Sequence, residues 1–348
     1  LQGPGIVSVA RCRGERATIP WAALYDLPLT GSEDQIKLCE LFKVQLAANK
    51  WSNDMTKLED KQDLLDNPEK CRRDRQCPLK KDNEARLTVC PFGFWGFLHQ
   101  VEQPLQQVDP TPTDQVPPQL KGKGFDQTSR LEFSRGAKVR LAIGAYPGIP
   151  DADDHQAEIA ALSRGDRLEI SYEKDRKEVL ALLQKSGYHF YYFYCHGEME
   201  GGEFRLKLGP RDHPGYIGAA DLFPFDIQWE KPQPLVVLNG CETMALTPEL
   251  IHGFLGKLRL LGASGVVGTE IQVWTYLARP VGRLLLEHLL QGDSVGEAFL
   301  KMRWHLLRQY NPLGLVYSYY APAALHLHQD PSGCVWCRAH PPTRRSKG

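Results

Sequence analysis

The sequence predicts an α/β fold in which a mostly parallel sheet is flanked by helices. From residue 137 onward, apolar runs of strand length alternate with segments of helical length, which is the pattern of parallel strands joined by crossover helices. The apolar runs do not alternate between polar and apolar residues, so both faces of the sheet should be covered. No internal repeat of about 20–50 residues is visible, which argues against a solenoid or a propeller.

Five segments are predicted to form the strands of this sheet. Most are rich in aliphatic, β-branched or aromatic residues and are bounded by Gly, Pro or charged residues. In chain order they are residues 138–146, 166–173, 188–197, 234–241 and 260–271. Helices are predicted for residues 154–165 and 174–187, each ending in a Gly, and for much of residues 276–308.

Composition divides the chain into four regions. Residues 1–110 are predicted to form an N-terminal accessory region that includes an aromatic cluster. Residues 111–135 are predicted to be a linker, because prolines are interspersed there with Gln, Asp, Thr and Lys. Residues 136–328 hold the alternating strands and helices, and residues 329–348 form a C-terminal tail.

Charge and composition narrow the class of partner. The 348-residue chain carries 42 basic and 42 acidic side chains, so no net charge attracts it to nucleic acid or to an anionic membrane. No apolar run reaches the roughly 18 residues of a spanning helix, and no secretory signal is visible. Nine cysteines, an odd number spread through a long chain, favour reduced thiols. We therefore expect a cytoplasmic protein without direct contact with nucleic acid or membrane.

Two of the predicted strands end in groups that carry chemistry. One ends in His196 followed by Gly197, and the other ends in Cys241 preceded by Gly240. Neighbouring strands lie about 5 Å apart, so paired strands that end level would bring the imidazole and the thiol close to contact. An imidazole can take the thiol proton or stabilise the thiolate, which is the nucleophilic form.

The two glycines would let the backbone approach a bound carbonyl group closely. The N–H groups of Gly197 and Cys241 are therefore predicted to form an oxyanion hole. Either reactive residue alone has an ordinary structural explanation, because a single Cys often packs in a core and a single His is often hydrogen-bonded there. Their joint occurrence at consecutive strand ends, each beside a Gly, favours a catalytic site.

The same segments resemble a known family. Residues 192–209, 235–243, 260–271 and 292–317 are similar, in this order, to a CHAT domain. CHAT domains are caspase-like cysteine peptidases of the clan that contains caspases, separases and gingipains. The resemblance covers residues 137–325, and it implies a caspase-like sheet with the N-terminal region as an accessory or a degenerate caspase-like unit.

The resemblance also implies roles for the reactive residues. His196 would be the general base and acid, and Cys241 the nucleophile, of an endopeptidase that works through a thioester. In that fold the oxyanion hole comes from the residue after the His and from the Cys, here Gly197 and Cys241. His196 precedes Cys241 by 45 residues, close to the spacing of about 50 in caspases, although the caspase pentapeptide is absent. Neither a metal nor an organic cofactor is implied.

The partners implied by the resemblance are a protein substrate and a regulatory or sensor protein, as for an effector of bacterial defence. An alternative is a catalytically silent caspase-like module that binds a peptide or scaffolds a complex, although the intact His196 and Cys241 argue against it. A nucleotide-binding protein is disfavoured, because the loop after the first strand has neither a G-x-G-x-x-G pattern nor a P-loop Lys.

Acidic residues suggest a substrate preference. In this clan, loops after the first and fifth strands form the pocket for the residue before the cleaved bond. Here those loops contain Asp151, Asp153, Asp154 and Glu270. Their carboxylates would favour Arg or Lys in that pocket. Alternatively, the aspartates form a solvated turn that caps the next helix, and Glu270 lies on the surface.

Several cysteines are also candidate metal ligands. Cys334, Cys337 and His340 have the close spacing of zinc ligands, but no fourth ligand is evident. A looser set lies in the N-terminal region: Cys39, Cys71, Cys77 and Cys90. We expect neither set to bind a metal, and the N-terminal cysteines to be unpaired, partly buried thiols.

Overall fold

The computed structural model describes residues 4–9, 19–32, 34–48, 77, 85–103, 130–134, 137–163, 167–200, 203–223, 226–240 and 251–330. Five residues singled out in the sequence lie outside the described residues: Cys71, Cys241, Cys334, Cys337 and His340. In the part of the chain that is described, no helix combines the length and the apolar character needed to cross a membrane.

The described strands and helices follow in chain order. The strands are β1 (Ile6–Ser8), β2 (Lys37–Leu38), β3 (Thr88–Val89), β4 (Gln100–Glu102), β5 (Arg130–Ser134), β6 (Val139–Ala145), β7 (Leu168–Glu173), β8 (Phe190–Tyr194), β9 (Gly197–Glu200), β10 (Glu203–Leu208), β11 (Gly215–Gly218), β12 (Leu235–Leu238), β13 (Gly265–Thr269), β14 (Tyr317–Tyr320) and β15 (His326–Asp330). The α-helices are α1 (Glu40–Ala48), α2 (Trp95–Leu98), α3 (Ala152–Ala160), α4 (Arg176–Leu183), α5 (Gly256–Leu260), α6 (Thr275–Gln291) and α7 (Val295–Arg308). Shorter turns of helix are Trp21–Ala23, Pro91–Gly93, Ala219–Asp221, Ile251–Leu255 and Pro312–Val316.

Within the described residues, the largest sheet has six strands in the order β14–β13–β12–β8–β6–β7. All neighbouring pairs are parallel except β13 with β14. Every residue of β8, β12 and β13 is buried, so these inner strands are covered on both faces, as their continuous apolar runs predict. The predicted mostly parallel sheet flanked by helices is confirmed, and each of the five predicted strands is present.

Consecutive tyrosines of β8 show which helix covers each face of the sheet. The hydroxyl of Tyr191 donates to the carbonyl oxygen of Lys185, just after α4, at 2.6 Å. The hydroxyl of Tyr192 meets Nε2 of His155 in α3 at 2.6 Å. Because successive side chains of a strand point to opposite faces, α3 and α4 lie on opposite sides of the sheet.

The described N-terminal residues pack against the C-terminal half of the chain. Trp304 of α7 donates from Nε1 to the carbonyl oxygen of Phe97 at 2.8 Å, and its ring packs on Phe92 and Phe97. The N-terminal aromatic cluster is therefore part of a core. Arg130–Ser134, at the end of the predicted linker, form β5 and pair in parallel with β15. The last residues of the predicted linker thus form a strand, because they pair with β15 in a two-stranded sheet and bury Leu131 in the core.

A buried guanidinium joins three segments of the fold. Arg303 of α7 is 1% exposed and donates to the carbonyl oxygen of Tyr317 at 2.6 Å. It also donates to the carbonyl oxygens of Gly314 at 3.2 Å and Gly96 at 3.4 Å. Burial lowers the pKa of Arg303 to about 10, so the group stays charged at neutral pH. One cation therefore ties the N-terminal segment to α7 and to the start of β14.

We expect Arg303→Met to lower the free energy of unfolding by about 3 kcal/mol, because three buried carbonyl groups lose their charged donor. Urea unfolding of the variant and the wild type measures the difference. Arg283→Met is the matched control, since the partly exposed pair of Arg283 with Glu287 on α6 should contribute less than about 1 kcal/mol. Equal losses in the two variants would contradict the role given to Arg303.

Candidate functional site

His196 lies at the carboxyl end of the central sheet, two residues after β8. Its half-buried ring meets the ring of Tyr146, which follows β6, with the centroids 5.4 Å apart and the planes 63° apart. Gly197 begins β9 and pairs with Leu206 of β10. The carboxyl edge of parallel strands is where ligands bind in open α/β sheets.

β12 approaches the same edge directly beside β8. The register pairs Phe190 with Leu235 and Phe193 with Leu238, and the backbone N–H of Asn239 continues it by donating to the carbonyl oxygen of Phe193 at 2.9 Å. Asn239 and Gly240, which follow the strand, are both buried. Cys241 lies outside the described residues.

The side chain of Asn239 is the hub of a buried hydrogen-bond network. Its Nδ2 donates to the carbonyl oxygen of Ala278 in α6 at 2.7 Å and to the hydroxyl of Tyr192 at 2.5 Å. Its Oδ1 accepts from the hydroxyl of Tyr317 in β14 at 3.0 Å. Asn239 is 1% exposed, so these three bonds supply the partners that a buried amide needs. The end of β12 is thereby fixed relative to β8, β14 and α6.

The network continues to His155 through the hydroxyl of Tyr192. The ring is buried, and desolvation lowers the pKa of His155 to about 4, with the nearby Glu158 opposing the shift. The imidazole is therefore neutral at neutral pH. Because the hydroxyl oxygen of Tyr192 already accepts from Asn239, we assign its proton to the bond with Nε2 of His155. Burial makes His155 a structural imidazole.

Charged groups surround His196 on the side of the hairpin β9–β10. Lys207 donates from Nζ to Glu198 Oε1 at 2.6 Å, and its backbone N–H donates to the carbonyl oxygen of His196 at 2.8 Å. Burial tends to raise the pKa of Glu198, but hydrogen bonds from Lys207 and Tyr216, and then the charge of His196, lower it overall. The carboxylate of Glu198 therefore stays ionised at neutral pH.

The three predicted aspartates of the substrate pocket lie at the start of α3 and face cations of this chain. Asp151 accepts from the hydroxyl of Tyr194 at 3.1 Å and lies 3.6 Å from Arg279 of α6. Asp154 lies 4.0 Å from the same guanidinium, whose main partner is Glu158 at 2.6 Å. Arg279 therefore balances the carboxylates of this loop from within the chain.

Asp153 is paired separately. Lys174 lies 2.6 Å from its Oδ1, and the hydroxyl of Tyr172 donates to the same oxygen at 3.0 Å. The hydrogen bond from Lys174, followed by that from Tyr172, lowers the pKa of Asp153. Asp153 and Asp154 stand in the first turn of α3, as the alternative of a helix-start turn predicts, but Asp151 makes no side-chain bond that caps the helix.

Glu270 is not brought together with the aspartates. It follows β13, which β12 and β8 separate from β6, so the two loops start about 14 Å apart. Its carboxylate is 7% exposed and accepts from the hydroxyl of Tyr320 at 3.3 Å and from Gln103 at 3.4 Å. Glu270 is therefore buried against the N-terminal segment, unlike the surface position considered as an alternative.

No group of three or more His, Cys, Asp or Glu side chains in the described ranges is arranged to hold a metal ion. Cys39, Cys77 and Cys90 are buried. Burial, followed by weaker contributions that include the nearby Cys77, raises the pKa of the Cys39 thiol. The raised pKa favours the protonated form of the Cys39 thiol, which is a poor ligand and a poor nucleophile.

Sequence reasoning missed Asn239, Tyr146 and Arg279. The pair Asn239–Gly240 suggested only a turn, and its position directly before a reactive Cys was the available signal. Tyr146 ends a predicted strand and gives no local signal of a contact with His196. Arg279 lies within a predicted helix, 128 residues after Asp151, so only the folded chain brings their charges together.

Comparison with known proteins gives a matching family and a related protein. A family model described as the CHAT domain matches residues 85–331. A probable protease of Vitiosangium sp. (strain GDMCC 1.1324) is 32% identical over 343 residues, which cover 94% of this chain and 40% of that protein. This chain thus spans about two fifths of the length of that curated relative.

Two solved structures are also similar to this chain. The Arg-specific cysteine proteinase gingipain R has a TM-score of 0.38 and 9% identity, over 58% of this chain and 48% of its own. The separase–securin complex of Saccharomyces cerevisiae has a TM-score of 0.39 and 15% identity, over 73% of this chain and 15% of its own.

Asn239→Leu should lower the free energy of unfolding by about 3 kcal/mol, because it leaves a carbonyl and two hydroxyl groups without their buried partner. Denaturant titration measures this loss. The control is Asn311→Leu, which removes the bond from the backbone N–H of Leu313 at a partly exposed helix start and should cost about 1 kcal/mol. If Asn239→Leu lowered the free energy of unfolding no more than Asn311→Leu does, the central role of Asn239 in the network would be refuted.

The free energy of unfolding should fall as the pH falls from about 6.5 toward 4. Between these pH values His155 is protonated in the unfolded state but stays neutral in the native state, where its pKa is about 4. Acid therefore lowers the free energy of unfolding by on the order of 2 kcal/mol. Chemical unfolding of the wild type and His155→Gln at pH 7, 5.5 and 4.5 tests this. The free energy of unfolding of His155→Gln should depend less on pH than that of the wild type. His213→Gln, at an exposed position, should keep the pH dependence of the wild type. Identical profiles for all three proteins would exclude His155 as a source.

Proposed function

Because this chain belongs to the CHAT-domain family of caspase-like cysteine peptidases, we propose that it is a cysteine endopeptidase with Cys241 as nucleophile and His196 as general base and acid. The relative that is 32% identical to it is described as a probable protease, which supports peptidase activity. Proteins are the proposed substrates, and a regulatory or sensor protein is the proposed partner that restrains the activity.

The observation that carries the proposal is the register of the two central strands. β8 and β12 pair with an offset of 45 residues at all four positions, from Phe190 with Leu235 to Phe193 with Leu238. His196 precedes Cys241 by the same 45 residues. If this register continued for three more residues, it would bring His196 and Cys241 to opposite positions on neighbouring strands, whose backbones lie about 5 Å apart.

The proposed reaction uses these two side chains in sequence. The imidazole of His196 takes the proton of the Cys241 thiol, and the thiolate attacks the carbonyl carbon of the peptide bond. The backbone N–H groups of Gly197 and Cys241 are proposed to stabilise the oxyanion. The C–N bond breaks as the imidazolium returns its proton to the leaving amine. Water, deprotonated by the same imidazole, then hydrolyses the thioester and restores the thiol.

Exposed side chains near this edge support a polypeptide substrate. Ala278 of α6 accepts a hydrogen bond from Asn239, so the first turn of α6 lies beside the end of β12. At this turn Trp274 and Tyr276 are 63% and 64% exposed, and their rings stack with centroids 5.7 Å apart. Exposed aromatic side chains of this kind commonly anchor bound peptides.

The proposed preference for Arg or Lys before the cleaved bond depends on Asp151. Among the predicted acids of the pocket, Asp151 is the one that contacts the end of β8, through Tyr194. Its side chain is 25% exposed, so a basic side chain of the substrate would compete with Arg279, which lies 3.6 Å away. Glu270 is buried elsewhere, so it is not part of this proposal.

Iodoacetamide should alkylate Cys241 at least about tenfold faster than the other eight cysteines, because the neighbouring imidazole favours the thiolate. His196→Ala should slow this alkylation about 100-fold, and His213→Ala should not. Mass spectrometry of quenched samples gives the rate at each cysteine. Uniformly slow labelling that is insensitive to His196 would instead support a catalytically silent interaction module.

Substrate cleavage itself is tested by sequencing new protein N-termini in a lysate treated with the chain or with Cys241→Ala. Termini that depend on Cys241 should follow Arg or Lys in the substrate. Cys195→Ala is the matched control, because that thiol is buried next to His196 and has no proposed role. Cleavage mainly after Asp, Leu or Met would refute the basic preference, and the absence of Cys241-dependent termini would count against the endopeptidase.

A further inference from the structure

The aromatic side chain that contacts His196 suggests a further residue in the proposed reaction. We propose that Tyr146 is a positioning residue that holds the imidazole of His196 in the orientation for proton exchange with Cys241. This inference rests on the proposed function and adds to it a group from the opposite neighbouring strand.

The backbone places Tyr146 beside His196 on the side away from β12. β6 and β12 flank β8, and the β6–β8 register ends with Ala145 opposite Tyr194. The backbone N–H of Tyr146 then donates to the carbonyl oxygen of Tyr194 at 2.9 Å. The imidazole therefore emerges between two strand ends, one carrying the Tyr146 ring and the other leading to Cys241. The ring on one side would limit rotation of the imidazole away from the side on which Cys241 is proposed to lie.

The loop after β6 is built around this ring. Tyr146 is 6% exposed, and its carbonyl oxygen accepts from the backbone N–H of Ile149 in a tight turn. The turn contains Gly148, where any Cβ would overlap the ring of Tyr146, with its Cε1, Cζ and hydroxyl oxygen as the nearest atoms. Glycine is thus required for the ring to stay at this position, and the same ring packs edge to face with His196.

The charges around the pair fit an imidazole that becomes positive. Lys207 lies 5.5 Å from the centroid of the Tyr146 ring and is neutralised by its ion pair with Glu198. Among the described residues, the Tyr146 ring packs against His196, and Glu198 and Lys207 lie on the hairpin that follows it. When the imidazole takes the thiol proton, the charge of the Glu198 carboxylate would stabilise the imidazolium. The proton moves from Sγ to the imidazole, and no other reactant is needed.

The test is the pH profile of Cys241 alkylation by iodoacetamide in the intact chain. Tyr146→Leu should lower the rate at pH 7 by about 10- to 100-fold and move the midpoint toward the value of about 8.5 of an ordinary thiol. Tyr146→Phe should keep the wild-type pH profile, because the ring and not the hydroxyl group makes the contact with His196. Gly148→Ala should resemble Tyr146→Leu, since it displaces the ring and leaves its chemistry unchanged.

Tyr188→Leu is the control for general damage to the fold. Its ring is 2% exposed and faces a cation, Arg140, at 4.5 Å, but it precedes β8 at the opposite edge of the sheet. This variant should lose stability and keep the wild-type pH profile. The inference would be overturned if Tyr146→Leu and Gly148→Ala both kept the wild-type pH profile and His196→Ala still slowed alkylation. Slow, His196-independent alkylation in the wild type would overturn the proposed function and this inference together.

Discussion

The parallel pairing of β8 with β12 is the constraint on which the candidate site depends. β8 leads to His196 and β12 leads to Cys241, and the two strands pair at four consecutive positions in one register. A slip of one residue would turn the buried aromatic side chains of β8 to the wrong faces, where α3 and α4 pack. The hydrophobic core therefore maintains the register, and the register determines which residues meet at the edge.

Polar side chains complete what apolar packing leaves open. Asn239 links β12 to β8, β14 and α6 by bonds that cannot all form in another register. Because an unsatisfied amide in this position would be costly, the network favours one arrangement of the strand ends over alternatives. His155 extends it to α3 as a neutral acceptor. Both side chains are buried, so their contribution here is to position other groups.

Charge is distributed differently at the two ends of the site. Near His196, Glu198 and Lys207 neutralise each other in an ion pair. At the start of α3, Arg279 faces several carboxylates, so an acidic loop is already partly compensated before any substrate arrives. At the far edge, Arg303 ties the N-terminal segment to α7 and β14 by donating to three carbonyl groups. The N-terminal aromatic residues are consequently part of the same packed structure.

The sequence by itself determined the fold class and the strand-end position of His196 and Gly197, because continuous apolar runs and glycine breaks are local signals. It also singled out Cys241, which lies outside the described residues. Only the tertiary structure decided that Asp151 faces Arg279, that Glu270 is buried against Gln103, and that Tyr146 contacts His196. These contacts join residues that are 50 to 167 positions apart. They depend on strand order and on side-chain direction, which no local pattern encodes.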